Sequence, residues 1–144
     1  MDKRLILIAE DDADDRYLMK TALEETGIVG EVKYVENGVE VISYLDSIIE
    51  DGGSVNYPQF ILLDLNMPKM DGREVLKKLK STDVYRKIPV IIFSTTKNQM
   101  EVKRCYDLGA NTYVVKPVSY DTLVSTIREI CTYWFNTATL IETS

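Results

Sequence analysis

Apolar residues in this chain fall either in short unbroken runs or in longer stretches at helical spacing. Leu5–Ala9, Phe60–Leu63 and Ile88–Phe93 are the unbroken runs. Runs this short, ended by turn signals, suit strands buried on both faces of a parallel sheet. Pro68 cannot give a ladder hydrogen bond, so the strand that begins at Phe60 must stop before it. Glu31–Glu36 alternates as a strand would, with Asn37-Gly38 as the turn, and Thr112–Val115 reads as a strand that ends in Lys116-Pro117. Between these lie helical patterns. Leu18, Met19, Ala22 and Leu23 share a face, with Gly27 as the stop. Val39–Ile49 follows the same period. Asp71-Gly-Arg-Glu74 is an Asp form of the capping box and opens a helix with Val75, Leu76 and Leu79 inward. A fourth helix spans Asn98–Leu108 and stops at Gly109. A fifth begins near Tyr120, with Leu123, Ile127, Ile130 and Trp134 at core spacing. Asp51–Pro58 is a loop-like surface connection to which no chemistry is assigned.

Strands alternating with helices predict an α/β fold: a doubly wound, mostly parallel sheet with right-handed crossovers. Five strands and five helices are expected within one domain over 1–144, with no repeat or internal boundary. The tail after the last helix, Tyr133–Leu140, is more apolar than a disordered end.

Composition narrows the classes. A hydrophobic share of 45% and a charged share of 28% belong to a soluble globular protein. No run approaches the length of a membrane helix, and the amino terminus lacks a signal-peptide pattern. Two cysteines without ligand spacing, Cys105 and Cys131, point to a reducing cytoplasm. They are read as packing or surface thiols. The net charge of −6 argues against nucleic acid as a partner. Histidine is absent, which removes the commonest acid–base catalyst and any His-ligated metal. A phosphohistidine in this chemistry would belong to a partner.

The strands' carboxyl ends carry the candidate chemistry. Open α/β sheets hold ligands there, and that edge gathers Glu10, Asp11, Asp64, Ser94 and Lys116. Asp64 alone reads as a strand-ending turn residue; the second acidic cluster changes that. Asp14 and Asp15 are assigned to the helix dipole, and Asp12 or Asp14 to the cap. An EF-hand loop fails, because no register gives Gly at its sixth and Glu at its twelfth position. Carboxylates this close repel, so without a cation at least one tends to hold a proton. Magnesium fits, since it takes a few oxygen ligands and leaves room for phosphate. Lys116 and Ser94 add a positive charge and a hydroxyl, around a place for a tetrahedral dianion beside a carboxylate nucleophile. Positioning and charge neutralisation do most of the catalysis in phosphoryl transfer, so no histidine base is required.

In order and spacing, Glu10-Asp11, Asp64, Ser94 and Lys116-Pro117 resemble the receiver domain of two-component response regulators, from Lys3 to about Trp134. The resemblance implies a flavodoxin-like five-stranded sheet of order 2-1-3-4-5. It makes Asp64 the phosphoacceptor. It makes Asp11, Asp64 and the backbone carbonyl of Asn66 the direct magnesium ligands, with Glu10 acting through water. Lys116 would pair with a phosphoryl oxygen or Asp64, across a Lys116–Pro117 bond that is usually cis. Ser94 would swing toward the phosphoryl group with Tyr113 turning inward behind it, Thr95 would affect access, and Asn66 and Thr96 occupy positions that tune acyl-phosphate lifetime.

The tail and the loop before Pro58 resemble the single-domain regulators partnered with phytochrome-type histidine kinases, where the last helix and tail help form a homodimer. Two readings of the extension at about 132–144 stay open: a dimer contact, or a cover for the domain's own lower edge. The resemblance thus implies a cytoplasmic protein that takes a phosphoryl group from a histidine kinase onto Asp64 and signals through a protein surface, without nucleic acid or membrane. The added charge would bias a two-state equilibrium and change the face formed by the fourth helix, fifth strand and fifth helix. Lys77, Lys78 and Lys80 read as a solvated helix face, and Lys97, Lys103 and Arg104 as exposed bases. One rival is a magnesium-dependent phosphohydrolase with an Asp64 nucleophile; it would want a second Asp where Asn66 stands. Another is an unphosphorylated interaction module, whose usual mark, loss of a site residue, is missing.

Overall fold

The computed structural model describes residues 4–28, 30–50 and 57–140, with the backbone alone for 49 and 50. The connection predicted over Asp51–Pro58 lies outside the described residues as far as 56, as do tail residues 141–144. In chain order the elements are β1 (Leu5–Ala9), α1 (Ala13–Thr26), β2 (Glu31–Val35), α2 (Gly38–Glu50), β3 (Phe60–Leu63), α3 (Gly72–Ser81), β4 (Val90–Ser94), α4 (Gln99–Asp107), β5 (Thr112–Val115) and α5 (Tyr120–Thr132). The strands form one sheet of order β2-β1-β3-β4-β5, and every neighbouring pair is parallel. This is the flavodoxin-like order.

Side chains alternate across a strand, so each apolar run feeds two cores. Ile6, Ile8, Phe60, Leu62, Ile91 and Phe93 meet α1 and α5 through Met19, Ala22, Leu23, Leu123 and Ile127. Leu7, Ala9, Ile61, Leu63, Val90 and Ile92 meet α2, α3 and α4 through Leu45, Val75, Leu76, Leu79 and Cys105. Complete burial on both faces is why β1, β3 and β4 read as unbroken apolar runs. The edge strand β2 alternates because its outer positions, Glu31 and Lys33, are exposed.

The helix starts are set by side chains. Asp12 caps α1, its carboxylate accepting from Asp14 N at 2.8 Å and Asp15 N at 3.1 Å. Asp71 and Glu74 form the predicted capping box of α3. Asn98 caps α4, which releases Ser94, Thr95 and Thr96 from that task.

Two expectations change and a third is narrowed. Lys80 is not part of a solvated face: its Nζ donates to the carbonyls of Arg86 (3.1 Å) and Ile88 (3.0 Å) and to Asn111 Oδ1 (3.0 Å), tying α3 to the start of β4. Trp134 does not continue α5. The chain widens into a π-helical turn at Tyr133–Thr137, closed by Ala138 N donating to Tyr133 O at 2.7 Å. That turn leaves Trp134 half-buried and brings Phe135 to 5.3 Å from Phe60, with the Arg4 guanidinium 5.3 Å over its ring. Both cysteines are buried and free, so packing is their role.

Candidate functional site

The strand register assembles the site. Ala9 is level with Leu63, Leu63 with Ile92, and Ser94 with Val115. The residues that follow β1 and β3, Glu10 and Asp64, are therefore level with each other, while Lys116 follows β5 two positions further along and across β4, its long side chain carrying its charge to the two acids. Backbone bonds continue the ladder past them: Glu10 N donates to Val35 O at 3.0 Å, Asp64 N to Ala9 O at 3.1 Å and Lys116 N to Ser94 O at 2.8 Å.

Glu10, Asp64 and Ser94 are buried, whereas Asp11 is exposed. Glu10, Asp11 and Asp64 each offer an oxygen, all within 4.8 Å of one another. Lys116 Nζ donates to Glu10 Oε1 and lies 3.6 Å from Asp15 Oδ2 and 3.7 Å from Asp64 Oδ1. The lysine thus bridges the cluster and has Glu10, rather than Asp64, as its nearest partner; the second oxygen of Glu10 accepts from Asp12 N at 3.2 Å. Burial pushes the Glu10 carboxyl up to about 7, against the hydrogen bond from Lys116 and with help from the neighbouring Asp64 charge. Burial also raises Asp64, which Lys116 opposes. For Lys116 burial works downward, but the hydrogen bond to Glu10 and the Asp64 and Asp15 charges outweigh it and leave the lysine raised. A hard divalent cation fits this donor set, because carboxylate oxygens crowded into a half-buried place need positive charge to ionise together.

Glu10, Asp11, Asp64 and Lys116 are brought together as predicted, and one expectation changes. Lys116–Pro117 is trans, since no cis peptide occurs among the described residues; trans is the intrinsically favoured isomer, by about 0.5–1 kcal/mol. Tyr113 is half-buried, with its ring against the core on the α2–α4 side and its hydroxyl donating to Thr96 O at 2.7 Å. Ser94 Oγ accepts from Thr96 N at 3.3 Å. Asn66 is exposed two positions beyond Asp64. Gly72 explains how closely α3 abuts the site: a Cβ there would meet Asp64 O at 2.3 Å, and its N–H donates to Leu65 O at 2.8 Å.

Sequence reasoning missed two residues. Asp15, assigned to the helix dipole, faces Lys116 from the first turn of α1. Arg16 reaches the carbonyl of Glu10 at 2.7 Å and Glu36 Oε1 at 2.9 Å. One turn of helix beyond Asp12 was the available signal for both.

A parallel sheet of this order, with acids and a lysine at the carboxyl ends of its strands, defines a phosphoacceptor-type signalling domain. The chain belongs to the response regulator receiver domain family, whose profile matches residues 6–128. Among individual proteins, it is 35% identical over 133 residues to the probable methanogenesis regulatory protein FilR2 of Methanothrix harundinacea, covering 92% of this chain and 84% of that one. It is 34% identical over 137 residues to response regulator Rcp1 of Synechocystis, covering 95% and 92%. The phosphorylated cyanobacterial phytochrome response regulator RcpA superposes with a TM-score of 0.88 at 35% identity, over 98% of this chain and 100% of that one. The Mn(2+)-bound form of Rcp1 gives 0.85 at 32%, over 96% and 99%. Among the described residues, no helix is long and apolar enough to cross a membrane.

Proposed function

We propose that this receiver takes a phosphoryl group from the phosphohistidine of a sensor kinase onto Asp64. The P–N bond of the donor breaks as an Asp64 Oδ forms the new P–O bond, and the imidazole leaves with the electron pair and takes up a proton. The observation that carries this reading is a buried Asp64 that has Lys116 Nζ 3.7 Å away and two more carboxylates within 4.8 Å. Magnesium would be held by Asp11, Asp64 and the Asn66 carbonyl, with Glu10 through water; when bound it neutralises charge on the phosphoryl oxygens. Lys116, already poised between Glu10 and Asp64, is placed to exchange a carboxylate for a phosphoryl oxygen. Ser94 and Tyr113 form the switch, since their hydroxyls meet the same loop at Thr96. The chemistry is confined to the protein's own Asp64, with no small substrate turned over.

Intact mass after incubation with acetyl phosphate tests this. A single-phosphate adduct that needs magnesium and is absent in Asp64→Asn is expected. A protein that binds no divalent metal and forms no adduct overturns the reading, and steady release of phosphate from a small ester by a long-lived native enzyme would revive the hydrolase.

Partners follow from the same reading. The likeness to RcpA and Rcp1 over nearly the whole chain supports a phytochrome-type kinase as donor, in the cytoplasm. It also supports a homodimer through the last helix and tail, where Tyr133 is 50% exposed while Phe135 is taken up by its own domain. Light scattering of the eluting protein, with and without acetyl phosphate, measures the dimer; a monomer at every concentration in both states would leave the tail as a cover only.

A further inference from the structure

We propose that Arg16 is a positioning residue for the metal-binding acids, holding the peptide plane that joins Glu10 to Asp11. This rests on the reading of the site as a magnesium-dependent phosphoacceptor. Arg16 lies on the first turns of α1 with its side chain 19% exposed. One guanidinium nitrogen, Nη1, donates to the Glu10 carbonyl at 2.7 Å, and the other, Nη2, to Glu36 Oε1 at 2.9 Å, just beyond β2.

The carbonyl it grips matters. A peptide unit is planar, so fixing the oxygen of Glu10 also fixes the N–H of Asp11 and the direction in which Asp11 leaves β1. The Glu10 N–H is already held by Val35 O, and its carboxylate by Lys116 and by Asp12 N. Arg16 supplies the restraint on the other side of the residue, and Asp11, exposed at the mouth, inherits its orientation from that plane. Glu36 anchors the arginine in turn. An ion pair this exposed contributes little stability by itself, but the planar fork makes both contacts from one rigid group, which a lysine ammonium cannot do. Groups one step behind metal ligands commonly govern affinity in this way.

Charge alone predicts the opposite effect. Arg16 is a cation near the site of a dication, so removing it should tighten magnesium binding if repulsion were its main influence. If Arg16 positions Asp11, removing it weakens binding. The experiment is magnesium titration by calorimetry on the whole protein, with Arg16→Gln, Arg16→Lys and, as a charge-matched control on the far part of α5, Arg128→Gln. Arg16→Gln is expected to weaken the magnesium dissociation constant by about tenfold, Arg16→Lys by less, and Arg128→Gln not at all. In the acetyl phosphate reaction, the half-saturating magnesium concentration should rise while the rate at saturating magnesium is largely kept. A purely structural role would instead lower the folded fraction and leave the affinity of folded protein unchanged.

Arg16→Lys keeps the charge and the aliphatic stem, so it decides the matter if Arg16→Gln does not fold. Magnesium binding in Arg16→Lys equal to wild type, or binding in Arg16→Gln as tight as wild type or tighter, overturns the proposal. Failure of the wild-type protein to bind magnesium would overturn the site reading instead.

Discussion

Lys69 holds a backbone φ of 63°, the only positive value at a non-glycine among the described residues, in the loop that carries the chain from Asp64 to α3. A side chain with a Cβ is disfavoured there by roughly 1–2 kcal/mol, and such strain often gathers beside functional groups. The loop has little freedom to relax it. Pro68 precedes it, and Gly72 must sit against Asp64 O where no Cβ fits. Lys69→Gly is therefore expected to stabilise the protein by up to about 1 kcal/mol, after the greater flexibility of glycine in the unfolded chain is set against the relieved strain. Urea unfolding would register it as a higher midpoint with an unchanged slope; an equal or lower midpoint would mean that the left-handed geometry is stabilised by the lysine itself. At the same scale, Glu10 is the most constrained acid of the site, held through its N–H, its carbonyl and both carboxylate oxygens.

Lys80 joins elements rather than decorating one. Its ammonium meets two carbonyl oxygens between α3 and β4 and the Asn111 amide oxygen just before β5, and its stem lies against Gly109, where a Cβ would come within 2.8 Å of Lys80 Cγ. Lys80→Met should cost about 1–3 kcal/mol by taking the ammonium from the Arg86 and Ile88 carbonyls, Asn111 Oδ1 keeping the Val90 N–H, whereas Lys77→Met, on the exposed side of the same helix, should change stability by less than about 0.5 kcal/mol. Thermal unfolding of the pair distinguishes them, and equal losses would mean that the ties of Lys80 are dispensable. The same contrast shows what a sequence can carry. Strands β1, β3 and β4 were legible because burial on both faces leaves an unbroken apolar run, Asp64 because it follows such a run, and Lys116 because with Pro117 it ends the short strand Thr112–Val115. The Lys80 partners lie 6, 8 and 31 residues away, and helical periodicity does not record pairings at those separations. Arg16 was hidden similarly, since its second partner, Glu36, is 20 residues on. The turn at Tyr133–Thr137 was missed because its apolar residues suit a continuing α-helix as well as a π-turn.

Taken whole, the molecule buries acids at one end of an otherwise apolar sheet. Glu10, at about 7 in the folded protein against 4.5 ordinarily, makes a contribution to stability that is fully present below about pH 4.5 and lost as pH rises through 7. Asp64 is shifted in the same direction. Lys116 is raised from 10.5, so its contribution stays intact across that window. Metal-free protein should thus lose stability between about pH 4.5 and 7, and magnesium should restore it, because the cation binds the ionised form. The rise in melting temperature on adding magnesium is expected to be larger at pH 8 than at pH 5.5; a rise that is greater at pH 5.5 would contradict this account. The same polarity of the fold has an optical consequence. The only tryptophan, Trp134, follows the far end of α5, and thirteen helical residues separate that end from the phosphoacceptor side by roughly 20 Å. Metal or phosphate at Asp64 is too distant to quench its emission by contact. A change in Trp134 fluorescence on phosphorylation would therefore be a readout of the tail alone, reporting that the event at one end of the sheet has been felt at the other.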